Sequence, residues 1–124
     1  GSTYPTTFLR DVLHGRKLVP LETAVHMMTA VPAELFGLRD RGIVREGHLA
    51  DLVLFDPEAI GSEESAFQSD LPGNSERLTA GSLGIRRVWV NGQTSIVDGA
   101  PSGTCAGKVL QPGRDTATAP MTRP

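Results

Sequence analysis

Aromatic residues and cysteine are scarce in this chain of 124 residues, and it has neither an excess of positive charge nor a long apolar run. Phe, Trp and Tyr make up 5% of the residues, whereas 14 glycines and 9 prolines supply many turn positions. The single cysteine, Cys105, cannot form a disulfide within the chain, as is usual in a reducing compartment. These shortages exclude a disulfide-stapled domain and predict a loop-rich, cytoplasmic protein.

The charge distribution argues against two classes of partner. The formal net charge is -2 and the basic residues are scattered, whereas nucleic-acid binding needs a concentrated basic surface. No stretch approaches the roughly 20 apolar residues that a membrane span requires, and the N-terminus has no signal-peptide pattern. We therefore expect neither a nucleic-acid partner nor a membrane.

Residues 1–41 have the apolar periodicity of helices. Thr6 or Thr7 is placed to cap a helix that runs to about Leu13, and Pro20 suits the first turn of a second helix. Its apolar positions continue to Val31, so that the next proline predicts a corner near Val31-Pro32. The third helix should close at Gly37, in the left-handed conformation that glycine adopts readily.

Residues 42–113 read as strands and turns. The apolar run 52–55 predicts a strand covered on both faces, and Asn91-Gly92 predicts a two-residue hairpin between Ile85–Val90 and Gln93–Val97. Residues 58–84 are polar and have no sustained period, which predicts a long excursion. Residues 114–124 have the composition of a disordered tail. The fold class is therefore α+β, with helices first and a small set of strands after them.

The polar residues form no recognisable catalytic constellation. His14, His26 and His48 lie far apart, without the spacing of metal ligands, and Cys105 has no basic neighbour that would activate its thiol. Paired carboxylates such as Glu63-Glu64, or Asp51 with Asp56, read as solvated or structural charges. Asp51 is placed to accept backbone N–H groups of the turn before it. Trp89 reads as a packing residue of the hairpin.

The order of motifs along the chain resembles the C-terminal end of metal-dependent amidohydrolases. The motifs are Pro32-Ala33-Glu34-Leu35-Phe36-Gly37-Leu38, Glu46-Gly47-His48-Leu49-Ala50-Asp51-Leu52-Val53-Leu54-Phe55-Asp56 and Val88-Trp89-Val90-Asn91-Gly92. The branch is indicated by Thr3-Tyr4-Pro5-Thr6, Asp70-Leu71-Pro72 and Gly107-Lys108-Val109-Leu110. These are similar to the N-acyl-D-amino-acid deacylases, also called amidohydrolase family 3.

The resemblance implies an α/β barrel with a zinc site, completed by a small β-sandwich. Residues 1–41 would supply the last barrel helices, residues 42–113 the sandwich strands, and the remainder of the chain would be the partner. In that family zinc activates a water that attacks the amide, and an aspartate transfers the proton. Those groups belong to upstream motifs, so we expect no catalytic, cofactor-binding or metal residue here, and zinc only in the parent enzyme.

Two residues and two alternative functions remain open at this stage. Tyr4 and Arg10 either border a substrate pocket or have a packing or solvent role. The main hypothesis is a structural portion of a deacylase that is inactive alone. The alternatives are an independent β-rich binding module, which would recruit a partner strand at an open sheet edge, and a subunit that complements a separate barrel.

Overall fold

The computed structural model describes residues 3–117 and has the predicted order of helices followed by antiparallel strands. The helices are α1 (Tyr4–Leu13), α2 (Leu21–Met28) and α3 (Ala30–Leu35). The strands are β1 (Leu52–Phe55), β2 (Gly61–Ser62), β3 (Ala66–Gln68), β4 (Arg77–Thr79), β5 (Ser82–Leu83), β6 (Ile85–Val90), β7 (Gln93–Val97) and β8 (Ala100–Pro101). The α+β class is therefore confirmed.

Helix α1 begins before the predicted threonine cap. Its N-cap is Thr3, without a side-chain cap, and Pro5 lies in the first turn, where a missing N–H costs nothing. The predicted capping role of Thr6 and Thr7 is wrong, because both lie inside the helix. Their hydroxyls instead contact the Ser62 hydroxyl at 2.7 and 3.1 Å, which fastens β2 to α1.

The corner between α2 and α3 lies at Thr29, not at Val31-Pro32 as predicted. Thr29 leaves the helical region at φ -124° and ψ -78°, and its hydroxyl donates to the carbonyl of Val25 at 2.7 Å. Pro32 is the third residue of α3, a position whose N–H has no partner within a helix. The proline thus marks the first turn of the new helix, and the break comes three residues earlier.

Gly37 closes α3 as the sequence predicts. Its φ is 62°, in the left-handed region that glycine adopts without strain. The Leu38 N–H donates to the carbonyl of Ala33 at 2.7 Å, and the Gly37 N–H donates to that of Glu34 at 3.0 Å. This pair of bonds is the Schellman arrangement, which satisfies carbonyls that a helix end otherwise leaves free.

The larger sheet has the strand order β1-β6-β7-β8, and all its pairs are antiparallel. The hairpin is confirmed with its predicted ends, and the turn residues Asn91 and Gly92 have φ of 49° and 77°. Asp98 and Gly99 repeat that geometry with φ of 46° and 81° and lead into β8. The sequence analysis read Asp98-Gly99 only as the end of a strand, and so missed β8.

Strand β1 is an edge strand within the described residues, and both of its faces are partly open. Val53 and Leu54 point to opposite faces and are 56% and 54% exposed. The prediction that this strand is covered on both faces is therefore wrong for residues 3–117. The helices cover only the Phe55 end of this strand, because their buried residues pack around Ile60.

Residues 61–83, most of the predicted excursion, form a long two-stranded hairpin that we call the arm. Strand β2 pairs with β5 at its base, and β3 pairs with β4 nearer its tip. The Glu63 N–H donates to the carbonyl of Gly81 at 3.0 Å between those two pairs. A short 3-10 helix, Pro72–Asn74, turns the chain at the tip.

The core joins the helices to the base of the arm. Leu9, Val12, Ala24 and Ile60 form its buried cluster, and partly buried Phe55 and Ile85 pack against it from the sheet. Gly84 lies against the backbone here: a Cβ at this position would be 2.6 Å from the nitrogen of Ile60. The glycine is thus required both by this close approach and by its φ of 74°.

The segment 111–117, which we call the strap, returns from the sheet to the end of α3. The Arg39 N–H donates to the carbonyl of Asp115 at 3.0 Å, and the Ala117 N–H donates to that of Gly37 at 2.7 Å. The predicted disorder is wrong for residues 114–117, because backbone pairing orders them whatever their composition. Residues 118–124, the rest of the predicted tail, lie outside the described residues.

Candidate functional site

The three histidines stay apart in the fold. His14 uses Nε2 to donate to the carbonyl of Pro57 at 2.7 Å, His26 is exposed on α2, and His48 is half-buried with an unpartnered Nδ1. Across residues 3–117, no three side chains of His, Cys, Asp or Glu converge in a way that could hold a metal ion. The described residues therefore do not fit the zinc site that the family resemblance implies, and Cys105 is simply exposed.

The carboxylates singled out in the sequence also serve separate purposes. Asp56 accepts from the Arg86 guanidinium at 3.0 Å and from the Glu58 N–H at 3.0 Å. The hydrogen bond from Arg86 is the main reason that the pKa of Asp56 lies below its usual value. A general acid needs a raised pKa, so Asp56 is suited to an ion pair instead. Glu63 and Glu64 are exposed on the arm.

Asp51 belongs to a polar cluster, the turn network, which consists of Arg41, Asp51, Asn91 and the carbonyl of Ala106. The Asn91 N–H donates to Asp51 at 2.8 Å, and the Arg41 guanidinium pairs with the same carboxylate. Arg41 also donates to the Asn91 side chain at 2.8 Å, and that amide donates to Ala106 at 2.6 Å. The network fixes the hairpin turn against the segment after α3.

The prediction for Asp51 is wrong about its hydrogen-bond partner, although the role of this carboxylate is structural, as expected. The sequence analysis expected Asp51 to accept from the turn just before it, whereas the N–H it binds lies 40 residues later. Asn91 was read only as a turn residue, and its side chain proves to be the centre of the network. The sequence contains both a turn asparagine and an aspartate at the start of a strand. They are 40 residues apart, so nothing in the local sequence shows that they bind each other.

A groove of about 860 Å³ runs along α1 beside α2. Tyr4 and Arg10, whose roles the sequence left open, both line it. The Arg10 guanidinium makes no hydrogen bond or ion pair within residues 3–117, whereas the Asp11 carboxylate pairs with Arg16 at 3.2 Å. Further lining residues are Phe8, His14, Met27 and Met28. The groove has apolar walls and the unpaired Arg10 guanidinium, and its described lining contains no nucleophile hydrogen-bonded to a base.

Surface ion pairs predict how stability depends on pH. Hydrogen bonds from Arg86, Arg77 and Arg114 hold the pKa values of Asp56, Asp70 and Asp115 below the usual 3.8. Carboxylates with lowered folded-state pKa values stabilise the fold above pH 3.8, and this stabilisation is lost as the pH falls through their folded-state values. We expect the urea concentration at the midpoint of unfolding to decrease when the pH is lowered below about 4. The decrease should be smaller in high salt, because salt screens exposed ion pairs. A midpoint that rises on acidification would contradict this assignment.

No helix in the described part of the chain combines the length and apolar character needed to cross a membrane. This finding concerns helices within residues 3–117 only.

The comparisons with known proteins all indicate the same family. A profile of the amidohydrolase family matches residues 3–96. The N-acyl-D-aspartate deacylase of Alcaligenes xylosoxydans xylosoxydans is 39% identical over 109 residues, which are 87% of this chain and 20% of that enzyme. The N-acyl-D-glutamate deacylase of the same organism is 38% identical over 115 residues, 93% of this chain and 22% of that enzyme. The chain thus spans about a fifth of the length of these relatives.

Solved structures agree with the sequence comparison. A crystal structure of D-aminoacylase superposes with a TM-score of 0.60 at 39% identity, over 82% of this chain and 20% of that one. The N-acyl-D-glutamate deacylase of Bordetella bronchiseptica, complexed with zinc and a phosphonate inhibitor, gives a TM-score of 0.57 at 36% identity. That match covers 77% of this chain and 19% of the other.

Proposed function

This chain belongs to the amidohydrolase family, and from that premise we propose that it is the C-terminal structural portion of an enzyme that hydrolyses N-acyl-D-amino acids. The observation that carries the proposal is the identity of about 40% with deacylases of this class, extending over most of the chain. The bond broken would be the amide between the acyl group and the D-amino acid. The products would be a carboxylate and a free D-amino acid.

The chain's contribution to such an enzyme is scaffold. In this proposal residues 1–41 complete an α/β barrel and residues 42–113 form part of a β-sandwich. Zinc would be held by residues of the parent enzyme outside this chain, because the described side chains offer no set of ligands. The chain's partner is then the remainder of the same polypeptide, and we propose the cytoplasm as its location.

We propose N-acyl-D-amino acids as the substrate class, without a preference for one D-amino acid. The aspartate deacylase, the glutamate deacylase and D-aminoacylase are 39%, 38% and 41% identical to the chain, so identity does not separate them. The Arg10 guanidinium in the groove beside α1 has no partner among the described residues. None of the described contacts connects this side chain to a catalytic site.

A complementing or binding module without catalysis is the second candidate, and the open faces of β1 favour it. An edge strand with partly exposed Val53 and Leu54 is a surface on which another strand or layer packs. The reading frame distinguishes the two candidates. Coding sequence for a metal-binding barrel upstream of Thr3 supports the enzyme, whereas a start codon there supports the module.

The decisive experiment is a zinc titration by calorimetry together with an assay of D-amino-acid release. Both are run on the 124-residue chain and on the product of the complete reading frame, with N-acetyl derivatives of several D-amino acids and their L-enantiomers as controls. We expect the chain alone to show neither stoichiometric zinc binding nor turnover, and the complete product to show both.

Two results would contradict the proposal. Stoichiometric zinc with turnover by the isolated chain would mean that its own histidines and carboxylates assemble a site. A complete product that binds zinc but releases no D-amino acid would place the enzyme elsewhere in the family. Turnover obtained only by mixing the chain with a separately encoded barrel would support the complementing module.

A further inference from the structure

The arm projects from the rest of the described chain. Every residue from 63 to 78 is exposed, and the buried cluster ends at its base with Ile60. Phe67, paired across the hairpin with Leu78, is 74% exposed, although it is one of only four phenylalanines. Phe67 is the largest exposed apolar side chain on the arm, and aromatic side chains contribute much of the buried area at protein interfaces.

The arm is nonetheless organised along its length. Near the tip, Arg77 donates two hydrogen bonds to Asp70, at 2.6 and 2.5 Å, in the two-pronged geometry that fixes both side chains. Gly73 and Asn74 turn the chain with φ of 74° and 55°. These contacts hold the arm in shape. They do not cover its exposed side chains, and a two-stranded hairpin without a covering layer is at best marginally stable in water.

The base of the arm is fixed to α1. The Ser62 hydroxyl lies 2.7 Å from that of Thr6 and 3.1 Å from that of Thr7, and β2 pairs with β5 beside them. The direction in which Phe67 is presented is therefore set by the helix that, in the proposed enzyme, belongs to the barrel. An interface element with a fixed direction loses less conformational entropy on binding.

The charge of the arm restricts its partner. Residues 61–83 contain four carboxylates and one guanidinium, and that guanidinium is already paired with Asp70. Two arms placed against each other would bring like charges together, which disfavours a second copy of the arm as the occupant. A receiving surface with basic residues around an apolar pocket would match both the charge and Phe67.

We propose that the arm docks onto the part of the amidohydrolase polypeptide outside this chain, inserting Phe67 into an apolar pocket with a basic rim. This inference rests on the proposed function. Its support is that the arm lies within the family match at residues 3–96, while about four fifths of each related deacylase has no counterpart here. The family match thus includes the arm, and the described residues do not cover its exposed face.

The test compares Phe67→Ser with Gln68→Ser, the adjacent residue whose side chain points to the opposite face. In the isolated chain neither substitution should move the urea midpoint by more than experimental error, because Phe67 is already exposed. In the product of the complete reading frame, Phe67→Ser should lower Tm by about 2–4 °C and speed amide hydrogen exchange in residues 63–79. Gln68→Ser should change neither.

Three outcomes would overturn the docking. They are an equal response of both variants in the complete product, a concentration-dependent dimer of the isolated chain that Phe67→Ser abolishes, and a reading frame that encodes these residues alone. Because Tm and hydrogen exchange are measured without substrate, they are independent of turnover. A complete product that shows the expected Phe67→Ser response but no deacylation would contradict the proposed function and still support the docking of the arm.

Discussion

Gly84→Ala should destabilise the chain by about 3 kcal/mol, a large fraction of the stability of a small domain. Part of that cost, about 1–2 kcal/mol, is the left-handed backbone that a residue with a Cβ adopts unfavourably. The rest, about 1–3 kcal/mol, comes from overpacking, because the new Cβ would lie 2.6 to 2.8 Å from backbone atoms of Ala59 and Ile60. Backbone atoms cannot rotate away as the end of a side chain can.

Gly92→Ala is the matched control for this substitution. Gly92 has nearly the same φ, 77° against 74°, but a Cβ there would have nothing within 4 Å. It should therefore show only the backbone cost, and the difference between the two variants isolates the close approach to Ile60. Urea unfolding followed by circular dichroism measures both. Equal losses would mean that the contact between the arm base and the sheet relaxes freely.

Asp51→Ala should cost about 3 kcal/mol, because it removes two charge-assisted hydrogen bonds at once. Hydrogen bonds that involve a charged group contribute about 1.5–3 kcal/mol each, and losing the carboxylate leaves the Arg41 charge without its partner. The Arg41 side chain is only 13% exposed, so water cannot fully replace the carboxylate, although Asp51 itself is 34% exposed. The Asn91 N–H also loses its acceptor at the turn.

A double-mutant cycle with Arg41→Ala tests the coupling directly. If the turn network acts as a unit, the double variant should lose much less stability than the two single variants added together. Asp11→Ala is the control, because its pair with Arg16 is more exposed and should contribute only about 0–1 kcal/mol. Additive losses for Arg41 and Asp51, or a loss for Asp11 as large as that for Asp51, would contradict the network.

Local chemistry in the sequence was enough to predict the features that a few neighbouring residues determine. Asn91-Gly92 set the hairpin with its correct ends, and Gly37 set the close of α3, because both depend on backbone conformations that few residues adopt. Proline was less informative. Pro32 is tolerated anywhere in a first helical turn, so it indicated a helix start without fixing the residue, and α3 begins earlier than predicted.

Features that depend on distant pairing were not predictable in the same way. Nothing local indicates that Asp51 binds the turn at Asn91, or that residues 114–117 pair with the end of α3. The strands of the arm were missed because each has only two or three residues, which is too short for an alternation of apolar and polar residues to signal them. For the candidate site, sequence placed Tyr4 and Arg10 near a possible opening, but only the fold shows that they share the groove.

The strap gives the fold a late step during synthesis. Residues 115–117 bond to Gly37 and Arg39, a contact between segments almost eighty positions apart that no shorter product of the ribosome can make. Since chains emerge N-terminus first, the Gly37 carbonyl and the Arg39 N–H remain without these partners until residues 115–117 have been translated. A stalled translation product that ends before residue 115 should therefore be degraded faster than the finished chain.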